Sequence, residues 1–320
     1  MELPVFPAAL LKNLEREKVM KILNFGSLNV DFTYRVDHIV GPGETISSKK
    51  LEVFPGGKGL NQSIALARAG AKVWHGGMIG RDGEFLKEIC RDSGVHAEYI
   101  KEADTRTGNA VIQVSETGQN CILLFSGANR ELTESYIDGV LEHFEAGDLL
   151  LLQNEVNKLD YLIRRGAEKG MFIALNPSPY DEQVETCGLQ QVDLFFVNEI
   201  EAAQMTGEDS EEAMLAKMRA LYPRAGIVLT LGDKGAYYSD DSETCFQKAA
   251  KAAAVDTTAA GDTFTGYFLA SYIREKSGKE ALRRGTLAAA LAVERPGAAV
   301  SIPRKEEVDR KMAEAKWPEA

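Results

Sequence analysis

The sequence predicts an α/β fold: a mainly parallel, doubly wound sheet flanked by helices, with a small β lid. Three observations carry this reading. Short apolar runs recur along the chain, helical patterns separate several of them, and two other stretches alternate apolar and polar residues.

The runs are, in order, KILNFGSLN from Lys21, KVWHGGMIG from Lys72, DLLLLQNE from Asp148, MFIALNPSP from Met171, DLFFVNE from Asp193 and IVLTLG from Ile227. Helical patterns such as NQSIALARAG from Asn61 and EEAMLAKMRALY from Glu211 lie between them. Strands alternating with helices of this length imply crossover connections and hence a parallel sheet. Arg35–Phe54 and Gly108–Phe125 have a different texture, polar and β-leaning, as in NAVIQV and QNCILLF. They are expected to form an accessory antiparallel sheet that acts as a lid. No repeat or linker divides the chain, so residues 20–320 are expected to form a single domain. The leader 1–19, with its LLKNLEREK segment, is expected to be a loosely attached extension.

Composition narrows the function. A chain of 320 residues, 44% hydrophobic, has enough apolar material for a large core. Lys and Arg number 37 against 48 Asp and Glu, a net charge of −11, which argues against nucleic-acid or anionic-membrane surfaces. An anionic ligand would therefore need local amides, a few placed lysines and a metal ion. The cysteines at 90, 121, 187 and 245 form no CxxC pair, as expected of buried thiols in a reducing, cytoplasmic setting. The four histidines are scattered, which speaks against a histidine metal centre. No apolar run reaches the length of a membrane span, and no signal-peptide pattern opens the chain.

The strand ends point to the site. The runs finish in Asn29 and Asp31, Gln153 and Glu155, Asn176, Asn198 and Glu201, and Thr230 and Gly232. A single polar strand end is ordinary turn chemistry. A whole series of them furnishes the crevice that lies beyond the carboxyl ends of an open parallel sheet.

Two glycine-rich stretches supply the remaining chemistry. In VDTTAAGDTFTG, Val255–Gly266, the later aromatic residues Phe264, Tyr267, Phe268 and Tyr272 fall three and four apart, the stripe of a buried helix. Ala259, Ala260 and Gly261 then stand at that helix's start, where free amides and the dipole attract an anion. Asp262 falls in the first turn beside it. Helix capping by Asp256, Thr257, Thr258 and Asp262 is the alternative account. In PGGKGLNQSIALARAG, Pro55–Gly70, the glycines at 56, 57 and 59 permit close backbone approach, Lys58 offers a cation and Asn61 an amide. This is not a Walker A loop, because Gly59 follows the lysine, and G-x-G-x-x-G, G-x-S-x-G and H-E-x-x-H signatures are missing. Asn29, Asp31, Lys58, Asn61 and Glu155 suit a polyhydroxylated ligand. Asp262 could take a proton from a hydroxyl attacking a phosphate, since phosphoryl transfer asks for positioning, charge stabilisation and a base.

These motifs resemble those of the ribokinase family of carbohydrate kinases, in family order from Lys21 to Pro303. Gly56–Gly57–Lys58–Gly59 with Asn61–Gln62 matches the N-terminal signature, and Asp256–Phe264 the C-terminal one. GSLNVD, SGAN, LNPSP, NEIEA and TLGDKG fall between them. The resemblance implies a ribokinase-like fold and ATP-dependent phosphorylation of a sugar's primary hydroxyl. With the GGKGLNQ form, D-ribose to D-ribose 5-phosphate leads; another sugar or a nucleoside, or a non-catalytic sugar or nucleotide sensor, are the alternatives.

The resemblance also implies roles. Asp262 would be the base, and Ala259, Ala260 and Gly261 the anion hole. Asn29, Asp31, Gly57, Lys58, Asn61 and Glu155 would hold the sugar, with Ala110 and Ile112 reaching in from the lid. Thr230, Gly232 and Gly235 would line the ATP site, and Asn198 and Glu201 would organise Mg²⁺ and the phosphates. An activating K⁺ would sit on Asp256, Thr258, Ala292, Gly297 and Ser301. A homodimer joined through the lid is the implied assembly. Two positions depart from the family habit: Ala259, where glycine is common, and Asn154, where an apolar residue is common.

Overall fold

A computed structural model of the protein describes residues 20–315. The expected extension at 1–19 lies outside the described residues, as do 316–320. In chain order the strands are β1 (Ile22–Phe25), β2 (Asn29–Val36), β3 (Lys50–Gly56), β4 (Val73–Ile79), β5 (Ile100–Glu102), β6 (Gly108–Ser115), β7 (Asn120–Phe125), β8 (Leu149–Gln153), β9 (Phe172–Asn176), β10 (Leu194–Asn198), β11 (Gly226–Thr230), β12 (Gly235–Ser239) and β13 (Thr244–Lys248). The helices are α1 (Lys58–Arg68), α2 (Glu84–Asp92), α3 (Glu134–Leu141), α4 (Leu159–Glu168), α5 (Glu199–Thr206), α6 (Glu211–Leu221), α7 (Ala260–Glu275), α8 (Gly278–Val293) and α9 (Lys305–Glu314).

The large sheet has the order β13-β12-β11-β10-β9-β8-β1-β4-β5. Strands from β11 to β5 in that order pair in parallel, and β12 and β13 add an antiparallel edge. All six runs read from the sequence are strands of it. Their apolar continuity follows from helices covering both faces: in β8, Leu149 and Leu151 belong to one core, Leu150 and Leu152 to the other. The first core joins Ile64 of α1, Phe268 of α7 and Leu282 of α8; the second joins Ile137 of α3, Leu162 of α4 and Met218 of α6.

The chain runs outward from β1 to β4 and β5, then returns to β8 and proceeds the other way. The strand order therefore reverses between β1 and β8. That is where a crevice opens at the carboxyl ends of a doubly wound sheet.

The second sheet has the order β3-β2-β6-β7. Its outer pairs are antiparallel, and the central β2–β6 pair is parallel. Its first strand starts at Asn29, ahead of the expected Arg35, because β2 leaves the β1 end directly. Residues 37–49 carry no strand; Gly41 to Glu44 close a turn through Glu44 N to Gly41 O at 3.1 Å.

Candidate active site

The turn from β1 into the lid, Gly26 to Leu28, packs directly on the first turn of α1. A Cβ at Gly59 would lie 2.4 Å from Ser27 N, so no side chain fits there. Gly57, the N-cap of α1, has φ 96°, a left-handed conformation natural to glycine. This contact sets Lys58 and Asn61 beside the ends of β1 and β8. Lys58 N donates to Glu155 Oε2 at 2.9 Å, and Ser27 Oγ donates to the same oxygen.

Across the crevice, α7 starts after Ala259, its N-cap at φ 62°. Ala260 N donates to Thr257 O at 3.2 Å, and Thr263 N opens the helical ladder on Ala259 O. Helix geometry thus leaves the amides of Gly261 and Asp262 without an intrahelical acceptor. Of the expected anion hole, Ala260 has its amide on Thr257 O. The Asp262 carboxylate is 7% exposed and accepts Asn61 Nδ2 on Oδ2 and Gln62 Nε2 on Oδ1, both at 2.9 Å.

A cavity of about 260 Å³ lies between these elements. It brings together Lys58, Asn198, Glu201, Thr230, Ala259, Ala260, Gly261 and Asp262, along with Asn176, Ser178, Thr257 and Thr265. Asn198 and Glu201 also form a capping box for α5: Asn198 Oδ1 accepts from Glu201 N at 2.8 Å and Glu201 Oε2 accepts from Asn198 N at 3.1 Å. Gly232 and Gly235 do not line the cavity. They shape the β11–β12 turn, with φ 55° and 136°, and a Cβ at Gly235 would meet Gln247 O at 2.1 Å.

The expected sugar contacts sit on the lid side. Asn29 Oδ1 accepts from Asn129 Nδ2 at 2.7 Å, and Asn129 Oδ1 accepts from Leu28 N, which ties the lid's root to the loop after β7. The Asp31 carboxyl lies over Gly56, where a Cβ would be 2.0 Å from Oδ2. Ala110 is the β6 partner of Asp31, and Ile112 the partner of Thr33, so all four share one face of the lid. Asn61 uses its amide nitrogen on Asp262; its Oδ1 is buried without a partner and is the atom left for a hydroxyl.

The electrostatics are those of a crowded acidic cleft. Burial, then the charge of Glu155, push the Asp31 carboxyl up to about 7. Burial also raises Glu155, against the pull of the Lys58 ammonium. Burial works against the charge on Lys58, but the surrounding carboxylates of Asp262, Glu155 and Glu201 outweigh it and hold its pKa above the usual lysine value.

Behind α7, Asp256 Oδ1 accepts from Thr258 N and Oδ2 from Gly297 N, both at 2.9 Å. Burial would raise this carboxyl, but the donors of Thr258 and Gly297 hold it below the usual range. Val293 O receives Val255 N and Asp256 N, so the end of α8 is stitched to this loop. Ala292 O accepts from Arg295 N at 3.1 Å, and Ser301 Oγ donates to Ala298 O at 2.8 Å. Among the described residues no group of three His, Cys, Asp or Glu could hold a metal. One carboxylate with backbone carbonyls nearby is a hard-oxygen donor set of low charge, which fits a monovalent cation better than a divalent one.

The sequence profile of the pfkB family carbohydrate kinases matches residues 19–305. The chain belongs to that family. Among curated pfkB relatives, the ribokinase of Haemophilus influenzae is 35% identical over 291 residues, covering 88% of this chain and 95% of the relative. The ribokinase of Cryptococcus neoformans var. grubii, solved in complex with ADP, superposes with a TM-score of 0.79 at 35% identity, over 91% of this chain and 99% of that one. The Arabidopsis thaliana ribokinase, solved with ribose and ATP, gives 0.82 at 28% identity, over 91% and 98%.

Two pfkB departures have structural answers. Ala259 stands at a left-handed position, φ 62°, the kind of backbone that glycine adopts without cost. Asn154 is not among the residues lining the cavity, and its Nδ2 donates to Pro179 O at 2.7 Å. Sequence reasoning missed the part played by Gln62 on Asp262, and by Ser27 and Asn129 at the lid's root. For Gln62 and Ser63 a signal existed: they are polar residues inside a helix buried over the whole stretch Gly59–Leu66.

Proposed function

We propose that the protein transfers the γ-phosphoryl group of ATP to the primary hydroxyl of D-ribose, giving D-ribose 5-phosphate. One observation carries this reading. A buried carboxylate, Asp262, stands in the first turn of α7 beside unpaired amides and lines the same cavity as Lys58.

In the proposed reaction Asp31, Asn29, Asn61 and Glu155 take the sugar's hydroxyls, which fixes the primary hydroxyl against Asp262. Asp262 accepts its proton as the oxygen attacks phosphorus. The Gly261 and Asp262 amides and the α7 dipole receive the charge that gathers on the transferring group. Thr230 and the β11–β12 turn hold the nucleotide, which fits the relatives solved with ADP and ATP. Asn198 and Glu201 would hold Mg²⁺, which neutralises phosphate charge in a cleft already rich in carboxylates. Asp256, Thr258, Ala292, Gly297 and Ser301 would hold K⁺, bracing the α7 start without touching substrate. The lid closes over the sugar to keep water from the γ-phosphate. Its outer strands expose Leu51, Val53, Ile122, Leu123, Leu124 and Phe125, and we place the homodimer contact there. The four free cysteines suit a cytoplasmic setting.

ADP release measured over a panel of pentoses, hexoses and nucleosides tests the substrate: D-ribose should give the highest kcat/KM, and a nucleoside ahead of it would overturn the assignment. Replacing K⁺ by a large organic cation at constant ionic strength and saturating Mg²⁺ should slow turnover, and Asp256→Ala should abolish that response.

A further inference from the structure

Beneath the crevice lies a set of buried side chains that no step of the reaction uses: Asn24, Gln62, Ser63, His75 and Gln153 are each 0% exposed. Their hydrogen bonds run in one direction, and the direction can be worked out from fixed ends. Gly59 O is a backbone carbonyl and can only accept, so Asn24 must face it with Nδ2, at 2.8 Å. Asn24 Oδ1 then faces Gln153 and requires a donor, Nε2 at 3.0 Å. The second hydrogen of that nitrogen goes to Gln62 Oε1 at 2.7 Å. With its oxygen engaged, Gln62 must present Nε2 to Asp262 Oδ1.

A second anchor gives the same answer. Asn176 Nδ2 donates to Phe196 O at 2.8 Å, so Asn176 Oδ1 faces Gln62 Nε2, at 3.3 Å. The other arm of Asn24 ends on a carbonyl as well. Nδ2 donates to Ser63 Oγ, which leaves Ser63 donating to His75 Nδ1 and His75 Nε2–H donating to Gly26 O at 3.2 Å. Burial pushes this histidine down to about 4, so it stays neutral and holds that tautomer.

We infer that Asn24, Gln153, Gln62 and Asn176 form an orienting relay, whose backbone-fixed polarity delivers an amide donor to Asp262 and thereby keeps the base an acceptor. They are positioning residues and transfer no proton. The inference rests on Asp262 being the base. Around that carboxylate the charged groups are Lys58 at the start of α1 and Glu155 after β8, with Glu201 of α5 acting on the same lysine.

Gln153→Glu is two links from the base and touches neither Asp262 nor the crevice. A carboxylate at 153 cannot donate to both Asn24 and Gln62, so Gln62 loses one of the two partners that fix its amide, and the donor it delivers to Asp262 is weakened. The acid limb of kcat at saturating sugar, which reports the substrate complex and not the free Asp31, should then move up by about one pH unit. Gln62→Met, which removes the last link at similar volume, should move it the same way. A ¹³C carboxyl titration of the unliganded protein, with the Asp262 signal identified by its loss in Asp262→Asn, should show the same upward shift without relying on turnover. Folded variants with the parent limb and the parent titration, changed only in rate or melting temperature, would overturn the relay. An inactive parent, or an active Asp262→Asn, would instead remove the assignment of the base while leaving the titration to decide the relay.

Discussion

The two sheets of this molecule handle apolar surface in opposite ways. The large sheet is covered on both faces, and β8 has every residue buried. The lid sheet leaves β7 exposed along its full length, with Leu123 at 71%. The proposed chemistry divides along the same line. The base and the anion-binding helix start stand on elements locked into the two cores, where a fraction of an ångström matters. The groups proposed to choose the sugar, Asp31, Ala110 and Ile112, ride on the sheet with the exposed outer strand.

That contrast can be broken, or sharpened, by substitutions on either side of it. The largest effect belongs to the locked side. Asp262→Asn keeps shape but removes the base, and kcat should fall roughly 10²–10⁴-fold with sugar binding retained; near-normal ADP release from this variant would show that the rigid end does not carry the chemistry. Next comes the packing itself. Leu151→Ala, at a fully buried β8 position, should cost about 2–5 kcal/mol in denaturant unfolding. Leu123→Ala on the lid should change monomer stability by no more than about 0.5 kcal/mol while weakening self-association in sedimentation. Equal costs at the two positions would mean that the lid is as locked as the core.

Asp31 tests the lid side. Leaving a sugar hydroxyl unpaired costs on the order of 1–3 kcal/mol, so Asp31→Ala should raise the sugar KM without weakening ATP. The pH dependence follows from the raised pKa. The folded protein holds a proton on Asp31 up to about 7, whereas the unfolded chain releases it near 3.8, so this group favours folding at low pH and loses that advantage as pH rises to 7. Asp31→Asn, which cannot ionise, should gain stability relative to the parent over that window in paired melting curves. Because a carboxylate accepts more hydroxyls than a carboxylic acid does, the sugar KM of the parent should fall as pH rises through 7, a trend absent in the variant. The smallest effect is at the start of α7. Ala259→Gly relieves a left-handed alanine and should add about 1 kcal/mol of stability with activity kept; a loss of stability would mean that the methyl group packs usefully.

Much of this was written in the sequence, and what was hidden had a physical reason. The six core strands were legible because burial on both faces makes them continuous apolar runs with polar ends. Asp262 was legible because an aromatic stripe fixed where its helix begins. The short strand β5 and the edge strand β13 were not, since three residues carry no period and a half-exposed edge looks like loop. Nor was the parallel pairing of β2 with β6 visible, because alternation reports which side of a strand is buried and says nothing of its neighbour's direction. Gly232 and Gly235 have the backbone angles that the β11–β12 turn needs, a demand that a glycine in the sequence does not separate from ligand contact. Asn198 and Glu201 were read for a metal, and the structure also gives them a capping box. The relay under the base lay beyond reach, because the orientation of an amide depends on partners up to about two hundred positions away in the chain.

That separation has a consequence for the protein's birth. Asn61 and Gln62 meet Asp262 across 201 and 200 positions. A ribosome that has delivered everything through β13 has built Lys58, Glu155 and the β11–β12 turn, but neither Asp262, the proposed base, nor the start of α7. The α1 surface that will receive α7 is then bare, since Ala65 meets Gly266 only after α7 emerges. The unfinished chain thus carries bare apolar surface and lacks the proposed base at the same time.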